Sequence, residues 1–253
     1  MQKSKFISRT LLLIFCLTGT SLSAQKLSKA VAAHDFAKAK LLLEQGAKTE
    51  KHDKKGLFPL WTAVVERDTA MVRLLLEFKA DPNFKTRNEY PISAIVIPLQ
   101  EGYLDVLKIL VEYGINIKSA TFRGQTPIRV ATRNGHLDII KYLVEKGADF
   151  DDHSAKDGAT PLEGAAAKGH LHLVKYFVEK GANLNHQDAE GDTPIGEAAI
   201  NGHLDVVEFL FSQGANPLLK NKKEEDAIFR AKIGGHSDIA AWLKEKLSAK
   251  KGR

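Results

Sequence analysis

Nine histidines are the residues in this sequence whose type most readily does chemistry. Imidazole ligates divalent metals and exchanges a proton near neutral pH. Four of the nine, His136, His170, His203 and His236, each follow a glycine and recur at nearly even spacing along the chain. Ligands of one metal ion need bonds of about 2 Å, whereas equivalent positions on neighbouring packed helices are about 8–10 Å apart. The spacing therefore separates these four rings and predicts no shared metal. His170 and His172 are separated by a single position, which places them on different sides of a helix. His52, His153 and His186 fall in loop segments and read as solvated side chains or partner contacts.

Other reactive constellations are missing. There is no Ser-His-Asp order, nucleophile elbow, phosphate-cradling loop or dinucleotide-binding glycine motif. The acidic residues sit at helix starts and turns, where they complement helix ends and close loops. Carboxylate pairs across neighbouring turns could meet in space, but no spacing predicts one. The only cysteine is Cys16. The residues thus predict neither an enzyme nor a cofactor.

The elements that carry these residues recur. A phrase of Thr-Pro-apolar, small residues, Gly-His-Leu-Asp (Gly-His-Leu-His in the second copy), an apolar run and Gly-Ala-Asp/Asn starts at Thr126, Thr160 and Thr193. Degraded copies begin at Phe58-Pro59, Tyr90-Pro91 and Asp226-Ala227. Pro59, Pro91, Pro127, Pro161, Pro194 and Ala227 thus mark a period of roughly 33 residues, the length of one unit of a helical repeat array. Three markers keeping one period specify a solenoid of stacked supersecondary units. Proline suits the first turn of a helix, and the threonine before it can cap the free N–H groups. Ala165-Ala166-Ala167 and Ala198-Ala199 keep the first helix of a unit thin. Ile139, Ile140, Leu143 and Val144 give the second helix an apolar stripe, and Gly147, Gly181 and Gly214 end it. One copy departs. The stretch from Pro91 to Gly102 is longer than its counterparts Pro127 to Gly135, Pro161 to Gly169 and Pro194 to Gly202, and Pro98 falls inside the expected helix. The sequence predicts a broken helix or bulged loop around 95–100.

The Thr-Pro and Gly-Ala-Asp phrases resemble the ankyrin repeat over nearly all of the chain beyond Ala24. The resemblance implies an all-α solenoid of about seven stacked helix pairs with β-hairpin or turn connections. It also implies that the Gly-His histidine is a structural hydrogen-bonding residue. The histidine of the family's Thr-Pro-Leu-His is absent: Trp61, Ser93, Arg129, Glu163, Gly196 and Phe229 occupy that column. The expected organisation is a 25–55 cap, five repeats over 56–223 and a 224–253 cap.

Residues 1–24 lie outside the repeat. Lys3, Lys5 and Arg9 precede an apolar core from Leu11 to Leu17, shorter than the roughly 20 residues a spanning helix needs. Small and polar residues follow to Ala24. This reads as a signal peptide with cleavage after Ala24, which predicts export to a bacterial periplasm or beyond. Cleavage would remove Cys16, leaving no thiol. It would also take three of the 37 basic residues, leaving 34 against 31 acidic ones, or +3. A net charge that small and that dispersed, together with export, excludes nucleic acid as the expected partner.

Ankyrin-repeat proteins usually bind through hairpin tips and the concave face of the first helices. Carried onto this chain, the resemblance gives as partner-binding residues Lys54, Lys55, Trp61, Arg87, Phe122, Arg123, Arg129, Arg133, Asp157, Glu163, Glu190 and Asp192. The early positions are basic and the later ones acidic, an arrangement that would orient a dipolar partner. The chain also resembles signal-bearing ankyrin proteins of bacteria. Some of those are linked to catalase or oxidative stress, and others look like inhibitors or immunity partners of toxins. The expected function is an exported, monomeric, non-catalytic binding module for another protein. Two other classes stay open: a small-molecule or haem carrier, and a hydrolase built on hairpin carboxylates.

Overall fold

The computed structural model describes residues 23–87, 89, 91–118, 124–154 and 156–251. These form helices joined by turns and no extended strand; one isolated antiparallel bridge links Lys85 and Ser93. The connections among the described residues are turns, one of the two forms expected. The chain divides into two compact units, one ending at Asn116 and the other beginning at Ile117.

The first unit holds α1 (23–32), α2 (Phe36–Glu44), α3 (Pro59–Val65), α4 (Thr69–Glu77), α5 (Val96–Glu101) and α6 (Leu104–Glu112). The second holds α7 (Pro127–Arg133), α8 (Leu137–Glu145), α9 (Pro161–Ala167), α10 (Leu171–Glu179), α11 (Pro194–Ile200), α12 (Leu204–Ser212), α13 (Ala227–Ile233) and α14 (Ser237–Lys251). A seven-residue helix and a nine-residue helix alternate through α7–α12. Proline is the first residue of α3, α7, α9 and α11. There its missing N–H is one of the donors a helix start leaves unbonded in any case.

Packing follows the composition. The short helix α9 packs on α7 and α11, and α11 packs on α13. Ala165, Ala166, Ala198, Ala199 and Ala231 are fully buried at these contacts, and their small side chains let the backbones approach closely. The longer helices bury their apolar stripes, with Ile139, Ile140, Leu143, Leu173, Val174, Phe177, Val206, Val207 and Leu210 all inaccessible.

Turns are tied to the next turn by single backbone bonds. Arg87 N–H donates to Gly56 O at 2.8 Å, Ala189 N–H to Asp157 O at 2.9 Å and Lys222 N–H to Glu190 O at 2.9 Å. Acidic side chains close these tips. Asp53 Oδ1 accepts from Lys55 and Leu57 N–H, and Asp188 Oδ1 accepts from Glu190 and Asp192 N–H.

The Gly-His motif is a packing joint, as the resemblance implied. His170 Nε2 donates to Arg133 O at 3.2 Å and His203 Nε2 to Ala167 O at 3.2 Å, each reaching one repeat back. The ring also lies against the preceding repeat's glycine. A Cβ on Gly202, whose φ is +82°, would stand 2.3 Å from His236 Cε1, whereas one on Gly235, at φ +85°, would meet nothing within 4 Å. Both Gly202→Ala and Gly235→Ala incur the left-handed backbone cost of about 1–2 kcal/mol. Only Gly202→Ala adds the overpacking cost of about 1–3 kcal/mol. Thermal denaturation should show the Gly202 variant melting several degrees below the Gly235 variant; equal melting points would remove the ring-on-glycine joint.

The irregular copy differs from its expectation. Helix α5 is intact, and Pro98 is its third residue, still within the first turn where no N–H is required. The extra residues are taken up before the helix, over 91–95. Thr86 N–H donates to Ile92 O at 2.9 Å and Ile92 N–H to Thr86 Oγ1 at 3.1 Å, beside the Lys85–Ser93 bridge. Ala94, Ile95, Val96 and Leu99 are buried, so this segment is core rather than a projecting loop.

Candidate functional site

In the second unit, the column in which the family's histidine is replaced holds Arg129 and Glu163, whose side chains bond within the fold, then Gly196 and the exposed Phe229. Arg129, on α7, is 8% exposed and places its guanidinium in a fork on Asp157, at 2.9 and 2.8 Å, with a third bond to Ala159 O at 2.7 Å. Burial pushes the Asp157 carboxyl up, but the bonds and charge of Arg129 outweigh it and hold it below the usual carboxylate range. Arg129 is the third residue of α7, and its long side chain reaches the turn that precedes α9.

One repeat on, Glu163 is 2% exposed. It closes a capping box: Thr160 N–H donates to Glu163 Oε2 at 2.5 Å, and Glu163 N–H donates to Thr160 Oγ1 at 3.3 Å. Its other oxygen, Oε1, is buried and has no hydrogen-bond partner among the described residues. Burial raises the Glu163 carboxyl to about 8. The Thr160 N–H opposes this, and the negative charges of Asp188 and Glu197 add to it.

In the next copy the column holds Gly196, and its small size has a use. A Cβ there would lie 3.3 Å from Arg230 Cδ. Arg230, on α13 and 7% exposed, fills that space. Its guanidinium bonds to Asp192, to Glu197 Oε1 at 2.5 Å and to Gly196 O at 3.2 Å. Asn221 also donates to Asp192, at 2.8 Å. Burial raises the Glu197 carboxyl, Arg230 opposes, and the neighbouring Asp192 and Asp188 charges add to the rise.

Between these groups lies a cavity of about 280 Å³ whose wall includes Arg129, Arg133, Glu163, Lys168, Asp188 and Glu197. Arg133 and Lys168 are exposed. On the same first-helix columns, Phe229 is 48% and Ile233 54% exposed on α13. They are spaced i, i+4 and so share one side of that helix.

The structure sorts the expected binding residues. Lys54, Lys55 and Arg87 are exposed on turns of the first unit, and Arg133, Asp157 and Glu190 are exposed in the second. Trp61 is in the core instead, 9% exposed and tilted against Phe58 at 6.4 Å between centroids. Arg129 and Glu163 are buried as described, and the Asp192 side chain is 15% exposed beneath Arg230. Phe122 and Arg123 lie outside the described residues. Sequence reasoning missed Arg230, although a glycine at 196 followed one repeat later by arginine was a legible sign of a large side chain needing room. It named Phe229 only as an occupant of the variable column and missed its exposed pairing with Ile233. Thr126 departs from its expected role too: its hydroxyl donates to Asp152 Oδ2 at 2.7 Å and makes no cap bond.

The described residues hold no group of three His, Cys, Asp or Glu side chains placed to take a metal, and no helix long and apolar enough to cross a membrane. The arrangement is a stacked scaffold whose first helices carry both internally bonded and exposed side chains.

The family comparison agrees with this scaffold. The family described as ankyrin repeats (three copies) matches residues 27–121, 80–154, 116–188 and 149–221, and the chain belongs to it. A protein of fowlpox virus (strain NVSL) that carries an ankyrin repeat name is 27% identical over 108 residues, which are 42% of this chain. The match covers only 14% of the length of that viral protein.

Proposed function

We propose that this chain is a non-catalytic protein-binding module that engages its partner through the first-helix columns and turn tips. It is read as seven helix pairs, the first and last acting as caps, exported and monomeric. The observation that carries the reading is the exposure of Phe229 and Ile233, 48% and 54%, on first-helix columns where Arg129 and Glu163 are buried. Two large apolar side chains side by side in water are unfavourable unless a partner covers them, and aromatic residues commonly anchor interfaces. Exposed Arg133, Lys168 and Glu190 supply a polar rim of the kind interfaces show.

Capture from cell extract tests this by comparing the chain with its Phe229→Ser variant. A protein retained by the former should be lost or at least tenfold depleted with the latter, as expected for removing an aromatic hot spot worth about 2 kcal/mol. An unchanged set of captured proteins would remove these columns from the interface. Export rests on the pattern of residues 1–24. Amino-terminal sequencing of the chain recovered from cells should read from Gln25, and a chain that starts at Met1 in the cytosolic fraction would contradict it.

A further inference from the structure

The cavity beside Glu163 has a chemistry that the exposed apolar pair does not use. Its wall contains a carboxyl group with one oxygen fully engaged by its own helix start and the other with no hydrogen-bond partner among the described residues. Buried polar atoms are nearly always satisfied, and an orphan is costly. Four carboxylates line this wall, Asp157, Glu163, Asp188 and Glu197. Asp188 spends one oxygen on the turn amides of Glu190 and Asp192, and Glu197 is shared with Arg230. The cations near them are already committed or lie at the edge: Arg129 is forked on Asp157, Arg230 is held between Asp192 and Glu197, and Arg133 and Lys168 are exposed. The charges acting on the Glu163 carboxyl are those of Asp188 and Glu197, both negative. At about 280 Å³, the cavity lies at the lower edge of the roughly 300–1,000 Å³ of sites that hold whole small molecules. That volume suits one long side chain.

We propose that this cavity receives a single basic side chain, a lysine ammonium or arginine guanidinium, presented by the bound partner protein, with the Glu163 carboxylate as its acceptor. This rests on the protein-binding reading and names what the partner must bring. Glu163 Oε1 is closed from solvent in the free fold, so an entering ammonium or guanidinium meets it after a turn of the carboxyl, and its charge offsets Asp188 and Glu197. A neutral side chain would leave the repulsion in place, and an acidic one would add to it. Occupancy favours the ionised form of Glu163, so binding releases a proton near neutral pH. This makes the contact tighter as pH rises from 6 to 8.

The test needs no partner. Methylguanidinium and n-butylammonium serve as single-side-chain probes, with sodium chloride at equal ionic strength as control. The Glu163 side-chain carboxyl is followed by carbon NMR through a pH titration, alongside the amides of Gly164 and Ala167. With either probe at about 100 mM, the Glu163 midpoint should fall by about one pH unit, the linkage expected for tenfold preferential binding to the ionised form. The Gly164 and Ala167 amides should shift with it, and in Glu163→Gln that shift should vanish while the folded spectrum persists. A midpoint that moves equally in sodium chloride, or a Glu163→Gln variant that still responds to the probes, would overturn the proposal. That result would leave the capture experiment with Phe229→Ser standing, so failure of the cavity and failure of the interface are read separately.

Discussion

Replacing Arg230 by methionine should unfold the second unit far more readily than replacing any surface charge. Arg230 is 7% exposed and bridges two carboxylates whose side chains are 15% and 24% exposed. Removing one partner of a buried ion pair typically costs about 3–5 kcal/mol, because the opposite charge stays behind without compensation. Here two carboxylates stay behind. Methionine keeps much of the volume against Gly196, so the loss reports charge rather than a cavity. Urea denaturation at pH 7 should show about 3 kcal/mol lost. The variant should recover part of this as pH falls, since protonating Glu197 and Asp192 removes the repulsion. A loss under about 1 kcal/mol, the range of exposed pairs, or one independent of pH, would show that the network is not a structural joint. A surface pair gives the contrast. Arg73 with Glu112 is about half exposed, and pairs of that kind contribute about 0–1 kcal/mol.

The second large effect is a gain. Glu163→Gln should stabilise the protein at alkaline pH. The Glu163 carboxyl titrates at about 8 in the fold, against an ordinary value of 4.5. A carboxyl whose folded pKa lies above its unfolded pKa holds more protons when folded. Its contribution to stability is therefore intact below about 4.5 and falls as pH rises, levelling off above about 8. Each pH unit separating the folded and unfolded values corresponds to about 1.4 kcal/mol, so the effect is of the order of a few kcal/mol. Glutamine keeps an oxygen to accept from Thr160 N–H and cannot ionise. Denaturation midpoints of the two proteins should nearly coincide at pH 4.5 and separate progressively to pH 9, with the variant the more stable. A variant less stable than the parent at pH 9 would mean that the ionised carboxylate finds compensation within the fold. A wild-type cost of this kind makes sense at a contact completed by a partner's cation, as strain at functional positions often does.

Most of the scaffold was legible in the sequence. Pro127, Pro161 and Pro194 mark helix starts, the glycines at 147, 181 and 214 mark helix ends, and the histidines at 170 and 203 bond one repeat back as the resemblance implied. These signals are local: a proline at a first turn or a glycine at positive φ needs only its neighbours. Pro98 misled because its meaning depends on where the helix begins. A shift of that start from Pro91 to Val96 turned an apparent breaker into a first-turn residue. The candidate site was less legible for the same reason. Arg129, Glu163 and Asp192 look like solvated charges in a linear reading. In the fold, the partners of Arg129 and Asp192 belong to the following repeat, and that of Glu163 is a backbone N–H. Trp61 was placed on a surface by repeat register, but the Phe58 ring beside it closes the core over it. The pairing of Phe229 with Ile233 went unnoticed because apolar residues in a helical pattern read as core.

The central claim is that the first-helix columns of the second unit contact another protein while the second helices do not. A photo-crosslinking amino acid introduced at position 168, between α9 and α10, or at position 175, on α10, tests it in the intact chain in cells. Both positions are exposed lysines. A discrete higher-mass adduct is expected at 168 and none at 175. Adducts of equal yield at both positions, or an adduct at 175 alone, would contradict it.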